Sequence, residues 1–184
     1  LFLLGVAFVL LLGTEMGVHV NAPTAIALHG YPAESQPGRP AATGSDLLIV
    51  DLASSTVLSI GNVGDFSFDE SGQWLAWTVD ARDQLGNGIQ LRDMKTGVVR
   101  PLDGGKALYR RMVWHDSLPA LAALRGVIDT VKRDTTYAIV AFRGVGSAAK
   151  IVYEAEKDST FPKDMRVSPD RGVTGSDDLN AMFF

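Results

Sequence analysis

The sequence contains no cysteine and only three histidines, and both shortages narrow the chemistry that its 184 residues can perform. Without cysteine there are no disulfide bonds, no thiolate metal sites and no cysteine nucleophile. Basic charge is also scarce, because 17 lysine and arginine residues are outnumbered by 21 aspartate and glutamate residues. The net charge of -4 provides no electrostatic footprint for nucleic acid, so we expect no nucleic-acid partner.

The first 45 residues lack the alternating pattern of strands. Residues 1–22 begin with the apolar run LFLLGVAFVLLL, which has the length of a signal-peptide core and falls short of the ~20 residues that span a bilayer. We interpret this segment as a truncated signal peptide or a membrane anchor, with a buried hydrophobic strand or helix as the alternative. Residues 23–45, rich in proline, glycine and alanine, are predicted to be a linker. An export leader predicts a periplasmic or secreted protein, anchored at its N-terminus if the leader is retained.

The clearest structural signal is a hairpin at residues 65–79, DFSFDESGQWLAWTV. Phe66 and Phe68 alternate with polar residues, which is typical of a half-buried strand. The turn that follows contains Gly72, which tolerates positive φ, and an apolar strand resumes at Trp74. A polar loop after this second strand ends in Asn87-Gly88, which is a strong turn dipeptide.

Short strands and turns repeat along residues 46–184. A turn at Asp51 returns 42 residues later at Asp93, the hairpin returns in residues 112–124, and a weaker third copy begins at Tyr137. A four-stranded unit that repeats every ~40–50 residues predicts an all-β fold, here a partial β-propeller. Closed propellers need roughly four to eight blades, so we interpret the chain as part of a longer protein. We expect about three blades, with limits near 46–86, 87–135 and 136–184.

Several motifs of this repeat resemble those of a known family. They are FxFDxxGxWLAW at residues 66–77, GxQLRDMxTGxVxPL at residues 88–102 and the Ser-Pro-Asp turn at residues 168–170. The chain from about residue 46 to 184 resembles the N-terminal propeller of bacterial exported prolyl oligopeptidase-family serine peptidases. In that family the propeller precedes an α/β-hydrolase domain, restricts entry to its active site and contains no catalytic residue.

The resemblance implies a non-catalytic, substrate-gating segment of a serine peptidase. Its partners would be the C-terminal α/β-hydrolase domain of the same parent chain and the peptide substrates of the enzyme. Related turns occur in Tol-Pal and WD-repeat propellers. The alternative is therefore a periplasmic binding or scaffold propeller with no enzymatic activity.

No residue of this chain is predicted to be catalytic, and we assign no cofactor. Residues 144–147, GVGS, lack the G-x-S-x-G spacing of a nucleophile elbow. Residues 147–150 match S-x-x-K and residues 95–97 match K-T-G, two elements of a penicillin-binding site, but their order is reversed and the second falls in a predicted hairpin turn. We interpret both matches as chance.

Metal and ligand sites are not predicted either. His115 is expected to be a solvent-facing turn residue. Asp80 and Asp83 suggest a calcium loop, but Arg82 occupies a position that needs an oxygen ligand, so we assign no metal.

The aromatic and paired basic residues have structural interpretations. The strand spacing of Trp74, Trp77 and Trp114 favours blade packing over a ligand-stacking platform. Arg110 and Arg111 are expected to line a channel, to face a partner domain or to form an exposed charged edge.

Overall fold

The computed structural model describes residues 17–21, 25–29, 44–129, 134–146 and 149–184, and the chain divides into two compact units after Gly64. The prediction of an all-β fold is confirmed, since a single 3₁₀ turn (Ala155–Lys157) is the one helical element among these residues. None of the described residues forms a helix long and apolar enough to cross a membrane. The strands are β1 (Gly17–Asn21), β2 (Ala25–His29), β3 (Ser45–Asp51), β4 (Val57–Phe68), β5 (Trp74–Val79), β6 (Gly88–Asp93), β7 (Val99–Gly104), β8 (Leu108–Trp114), β9 (Leu121–Asp129), β10 (Asp134–Arg143), β11 (Ala149–Tyr153), β12 (Thr174–Gly175) and β13 (Met182–Phe183).

The first unit is an antiparallel meander in which β1 pairs with β2, β2 with β3 and β3 with the first part of β4. Two of these strands differ from the sequence prediction, because β1 falls within the predicted leader and β2 within the predicted linker. The linker prediction rests on the prolines of residues 23–45. The short apolar stretch AIAL within this range nevertheless forms β2 and pairs with β3. Most of the predicted leader and linker lies outside the described residues, so their limits stay a prediction.

The second unit contains two four-stranded antiparallel sheets. The end of β4 lies beside β5, followed by β6 and β7, while β8 to β11 form the next sheet in sequential order. The predicted hairpin is confirmed, since the Asp69 N–H donates to the Trp74 carbonyl at 3.0 Å and Gly72 has a φ of 69°.

The repeated aspartate turns also form as the sequence predicts. The Asp51 N–H donates to the Thr56 carbonyl at 2.9 Å, and the Asp93 N–H donates to the Val98 carbonyl at 3.0 Å. In both turns the carboxylate Oδ1 accepts N–H groups two and three residues later. These hydrogen bonds hold the chain in a tight reversal between two strands.

The predicted blade limits stay a prediction. The two sheets span residues 65–104 and 108–153, and the predicted limits fall between β5 and β6 and inside β10. A repeat period fixes the spacing of strands along the chain, but it does not fix which four consecutive strands share a sheet.

The core of the second unit lies between these two sheets. The side chains of this first core cluster come from β5 to β10 and adjoining loops: Ala76, Ile89, Leu91, Leu102, Ala107, Tyr109, Met112, Leu121, Ala123, Val140, Phe142 and Val145. A second cluster covers the opposite face of the β8–β11 sheet: Leu124, Ile139, Ala155, Val167 and Val173. Burial of a four-stranded sheet on both faces is the arrangement expected of a propeller blade.

Candidate functional site

Three hairpin corners of the same geometry follow one another in the second unit. In each corner the N–H of the first residue donates to the carbonyl five residues later. The pairs are Asp69 with Trp74 at 3.0 Å, His115 with Ala120 at 2.9 Å and Ser176 with Ala181 at 2.9 Å. The corners mark equivalent positions in three successive repeats.

The side chain of the first residue closes each corner. Asp69 Oδ1 accepts the Trp74 N–H at 2.8 Å, and Ser176 Oγ accepts the Ala181 N–H at 3.0 Å. Nearby, hydrogen bonds from the Ser176 hydroxyl and from Asn180 lower the pKa of Asp178 to about 2. This carboxylate is therefore ionised at neutral pH and helps to order the third corner.

His115 closes the second corner and contacts the third. Its Nδ1 accepts the N–H groups of Ser117 and Leu118, each at 3.2 Å, so the ring proton is on Nε2. Nε2 then donates to the Ser176 carbonyl at 3.1 Å. The residue is half-buried rather than solvent-facing, because it joins two corners. Both ring nitrogens are engaged, which leaves neither free to bind a metal or to act as a base.

The tryptophans pack in the way that their spacing predicts. Trp77 is 2 % exposed, and Trp74 and Trp114 pack against the first core cluster. The Trp114 indole N–H donates to the Ser67 carbonyl at 3.1 Å, and the Arg100 guanidinium lies 5.7 Å from the Trp74 ring centre. These contacts fix the rings and leave no open stacking platform at these three residues.

Side-chain hydrogen bonds join the segments that precede the three corners. We call them the leading segments, and they are the end of β4 (residues 65–68), β8 and the loop at residues 167–173. Trp114 joins β8 to the first of them through Ser67, and Arg111 joins β8 to the last, since its Nε donates to the Pro169 carbonyl at 2.9 Å. Arg111 has a φ of 53°, in a stretch where the register of β8 shifts.

The remaining sequence motifs have structural roles in the described residues. The N–H groups of Lys95 and Thr96 donate to Asp93, which places the K-T-G match in a hairpin turn. Ser147 lies outside the described residues, while Lys150 pairs with Asp103 at 2.8 Å. No group of three or more histidine and carboxylate side chains in the described ranges is placed to hold a metal ion.

Asp103, in β7, forms a polar network with residues of β8 and β11. Its side chain is 4 % exposed and accepts hydrogen bonds from the Lys150 ammonium at 2.8 Å and the Tyr109 hydroxyl at 3.1 Å. Burial, followed by the adjacent carboxylate, raises the pKa of Tyr109 well above its usual range. The phenol therefore stays protonated and donates to Asp103. This network therefore joins β7 to β8 and β11.

A cavity of about 470 Å³ opens between the second and third corners. Ala122 and Ala141, which pair directly across β9 and β10, line it. Asp116, Arg143 and Asp177 supply charged groups to its lining. Sequence reasoning did not find this feature, since the small residues that create it carry no chemical signal of their own.

Comparison with known proteins identifies the fold and no more. No protein family matches the sequence, and no curated protein matches it significantly. Hydrazine synthase of Kuenenia stuttgartiensis is structurally similar, with a TM-score of 0.54 and 10 % identity over 86 % of this chain and 45 % of that chain.

Two peptidase structures are also similar. The β-propeller domain of the trilobed protease from Pyrococcus furiosus has a TM-score of 0.45 and 12 % identity over 75 % of this chain and 43 % of its own. Pyrococcus horikoshii acylaminoacyl peptidase has a TM-score of 0.47 and 10 % identity over 78 % of this chain and 26 % of its own. The chain thus spans less than half the length of each of the three structures described here.

Proposed function

We propose that this chain is the substrate-gating propeller portion of an exported serine peptidase of the prolyl oligopeptidase type. The α/β-hydrolase domain that performs the chemistry lies beyond residue 184, and that domain and its peptide substrates are the partners of this segment. The protein is periplasmic or secreted. The repeated motifs and their resemblance to such propellers support the family, and the sheet arrangement of the second unit agrees with it.

The observation that carries the gating role is the pair of contacts between the leading segments. We place these segments at the central passage of the propeller, so contacts between them set the width of that passage. One contact, from Trp114 to Ser67, is half-buried, whereas the other, from Arg111 to Pro169, is exposed. The exposed contact exchanges more readily with water and is the place where the passage widens.

Replacing Arg111 with asparagine in the parent peptidase should make the enzyme more tolerant of long peptides. Asparagine accepts positive φ but is too short to reach the Pro169 carbonyl, so the backbone is kept and the contact is lost. Loss of one hydrogen bond worth about 1 kcal/mol raises the open population about fivefold. We expect kcat/KM for a long peptide to rise by about this factor, with little change for a dipeptide substrate.

Arg110→Asn is the matched control, because Arg110 is exposed and its side chain makes no hydrogen bond to the residues that the structure describes. If the two variants show the same ratio of kcat/KM for the long peptide to kcat/KM for the dipeptide, the gating role of Arg111 is contradicted. A parent protein that cleaves no peptide and has no serine reactive toward a fluorophosphonate would contradict the peptidase itself, and would support the binding or scaffold propeller instead.

A further inference from the structure

The corner repeat explains why the cavity between the second and third corners exists. Trp74 lies five residues after Asp69, and in the first corner its ring packs against the first core cluster. The same position holds Ala120 in the second corner and Ala181 in the third, and both alanines line the cavity. The space that an indole ring fills beside the first corner is therefore left open beside the second.

The walls of this cavity are preformed and largely apolar. Ala122 and Ala141 form one wall at a paired position of the sheet, and Val173 of the second core cluster lies beside them. The residues around the cavity belong to strands and hydrogen-bonded corners, so it does not depend on a mobile loop. Its volume of about 470 Å³ lies in the range of small-molecule sites.

The lining also carries an excess of negative charge. An acidic residue follows the first residue of every corner: Glu70, Asp116 and Asp177. Asp116 and Asp177 line the cavity, and both are exposed. Arg143, the basic residue of the lining, donates a hydrogen bond to the Leu179 carbonyl, which restricts its reach toward the two carboxylates.

We propose that this cavity binds a small aromatic amine. The aromatic ring occupies the space that the Trp74 ring fills in the first corner, and the ammonium group pairs with Asp116 and Asp177. The proposal is independent of the peptidase assignment, because it rests on the shape and charge of the second unit alone.

Tryptamine tests the proposal, with indole-3-propionate as an anionic probe that carries the same ring. Each is titrated to roughly millimolar concentration into the isotopically labelled full chain. The backbone amides of Ala122 and Ala141 lie at the cavity wall, and the indole N–H of the buried Trp77 is a reference away from it. We expect tryptamine to shift the two amide resonances and to leave the Trp77 resonance unchanged, and we expect indole-3-propionate to shift none of them.

Two variants separate shape from charge. Ala120→Trp places an indole in the cavity and should abolish tryptamine binding. The double variant Asp116→Asn, Asp177→Asn keeps the cavity and should weaken tryptamine binding about fivefold, because two exposed charge pairs are lost. Asp164→Asn, which changes an exposed acid away from the cavity, should bind as the unmodified chain does.

Three results would overturn the proposal. They are unmoved Ala122 and Ala141 amide resonances, binding of indole-3-propionate as tight as that of tryptamine, and undiminished tryptamine binding by the double variant. If Ala120→Trp does not fold, the comparison of the double variant Asp116→Asn, Asp177→Asn with the control Asp164→Asn tests the proposal by itself.

Discussion

Replacing Phe142 with alanine should lower the free energy of unfolding by about 3–5 kcal/mol. The Phe142 ring is 1 % exposed and belongs to the first core cluster, which joins the β4–β7 sheet to the β8–β11 sheet. Removal of the ring costs its transfer free energy and leaves a cavity that close-packed neighbours fill only in part. A chain whose total stability is less than this loss would be unfolded in buffer.

Urea denaturation followed by circular dichroism measures this effect. Phe183→Ala is the matched control, because the same side chain is removed from a residue that is 62 % exposed. We expect the control to change stability by about 0.5 kcal/mol or less. A loss below about 1 kcal/mol for Phe142→Ala would show that the two sheets do not pack face to face through this ring.

Replacing Asn87 with aspartate should cost about 3–5 kcal/mol at neutral pH, although the two side chains have nearly the same shape. Asn87 is 1 % exposed. Its Oδ1 accepts the Ala81 N–H at 2.7 Å and its Nδ2 donates to the Ala107 carbonyl at 2.8 Å, so the amide joins two loops. A carboxylate keeps the first bond, but it turns an oxygen toward the Ala107 carbonyl and buries a charge without a cationic partner.

The pH dependence of the Asn87→Asp variant provides an internal check. Burial should raise the pKa of the introduced carboxyl in the folded state, so the variant is destabilised most where that group is ionised. Its stability relative to the unmodified chain should recover as pH falls, because the protonated acid can donate to Ala107. Thermal melts between neutral and mildly acidic pH follow this recovery. Asn62→Asp, at an exposed residue, should change stability little at either pH, and an equal loss in both variants would contradict the buried bridge.

Asn87-Gly88 shows how much a turn dipeptide leaves open. The predicted loop does end there, since the Asn87 N–H donates to the Gln84 carbonyl at 3.4 Å, but Asn87 is buried and Gly88 begins β6. A Cβ on Gly88 would lie 2.4 Å from the Asp103 carbonyl oxygen, so glycine is required for the close approach of two strands rather than for a turn. Only the tertiary packing of β6 against β7 distinguishes these two uses of the same dipeptide.

Local hydrogen bonding explains which elements could be predicted. The turns at Asp51, Asp69 and Asp93 are closed by their own side chains, so the sequence contains all that they need. The corners at His115 and Ser176 use other residue types for the same purpose, and their equivalence becomes clear only from the backbone bonds. The cavity between the second and third corners could not be predicted from the sequence. It depends on alanines from separate strands and corners, which come together only in the folded chain.

The coding sequence beyond Phe184 tests the central claim most directly. We predict that the reading frame continues through further four-stranded repeats into an α/β-hydrolase domain, with a G-x-S-x-G serine followed by an aspartate and a histidine. The purified parent protein should then be labelled by a fluorophosphonate at that serine. A frame that ends soon after Phe184, or that completes a propeller and stops without a hydrolase domain, would contradict the peptidase assignment and identify the chain as part of a binding propeller.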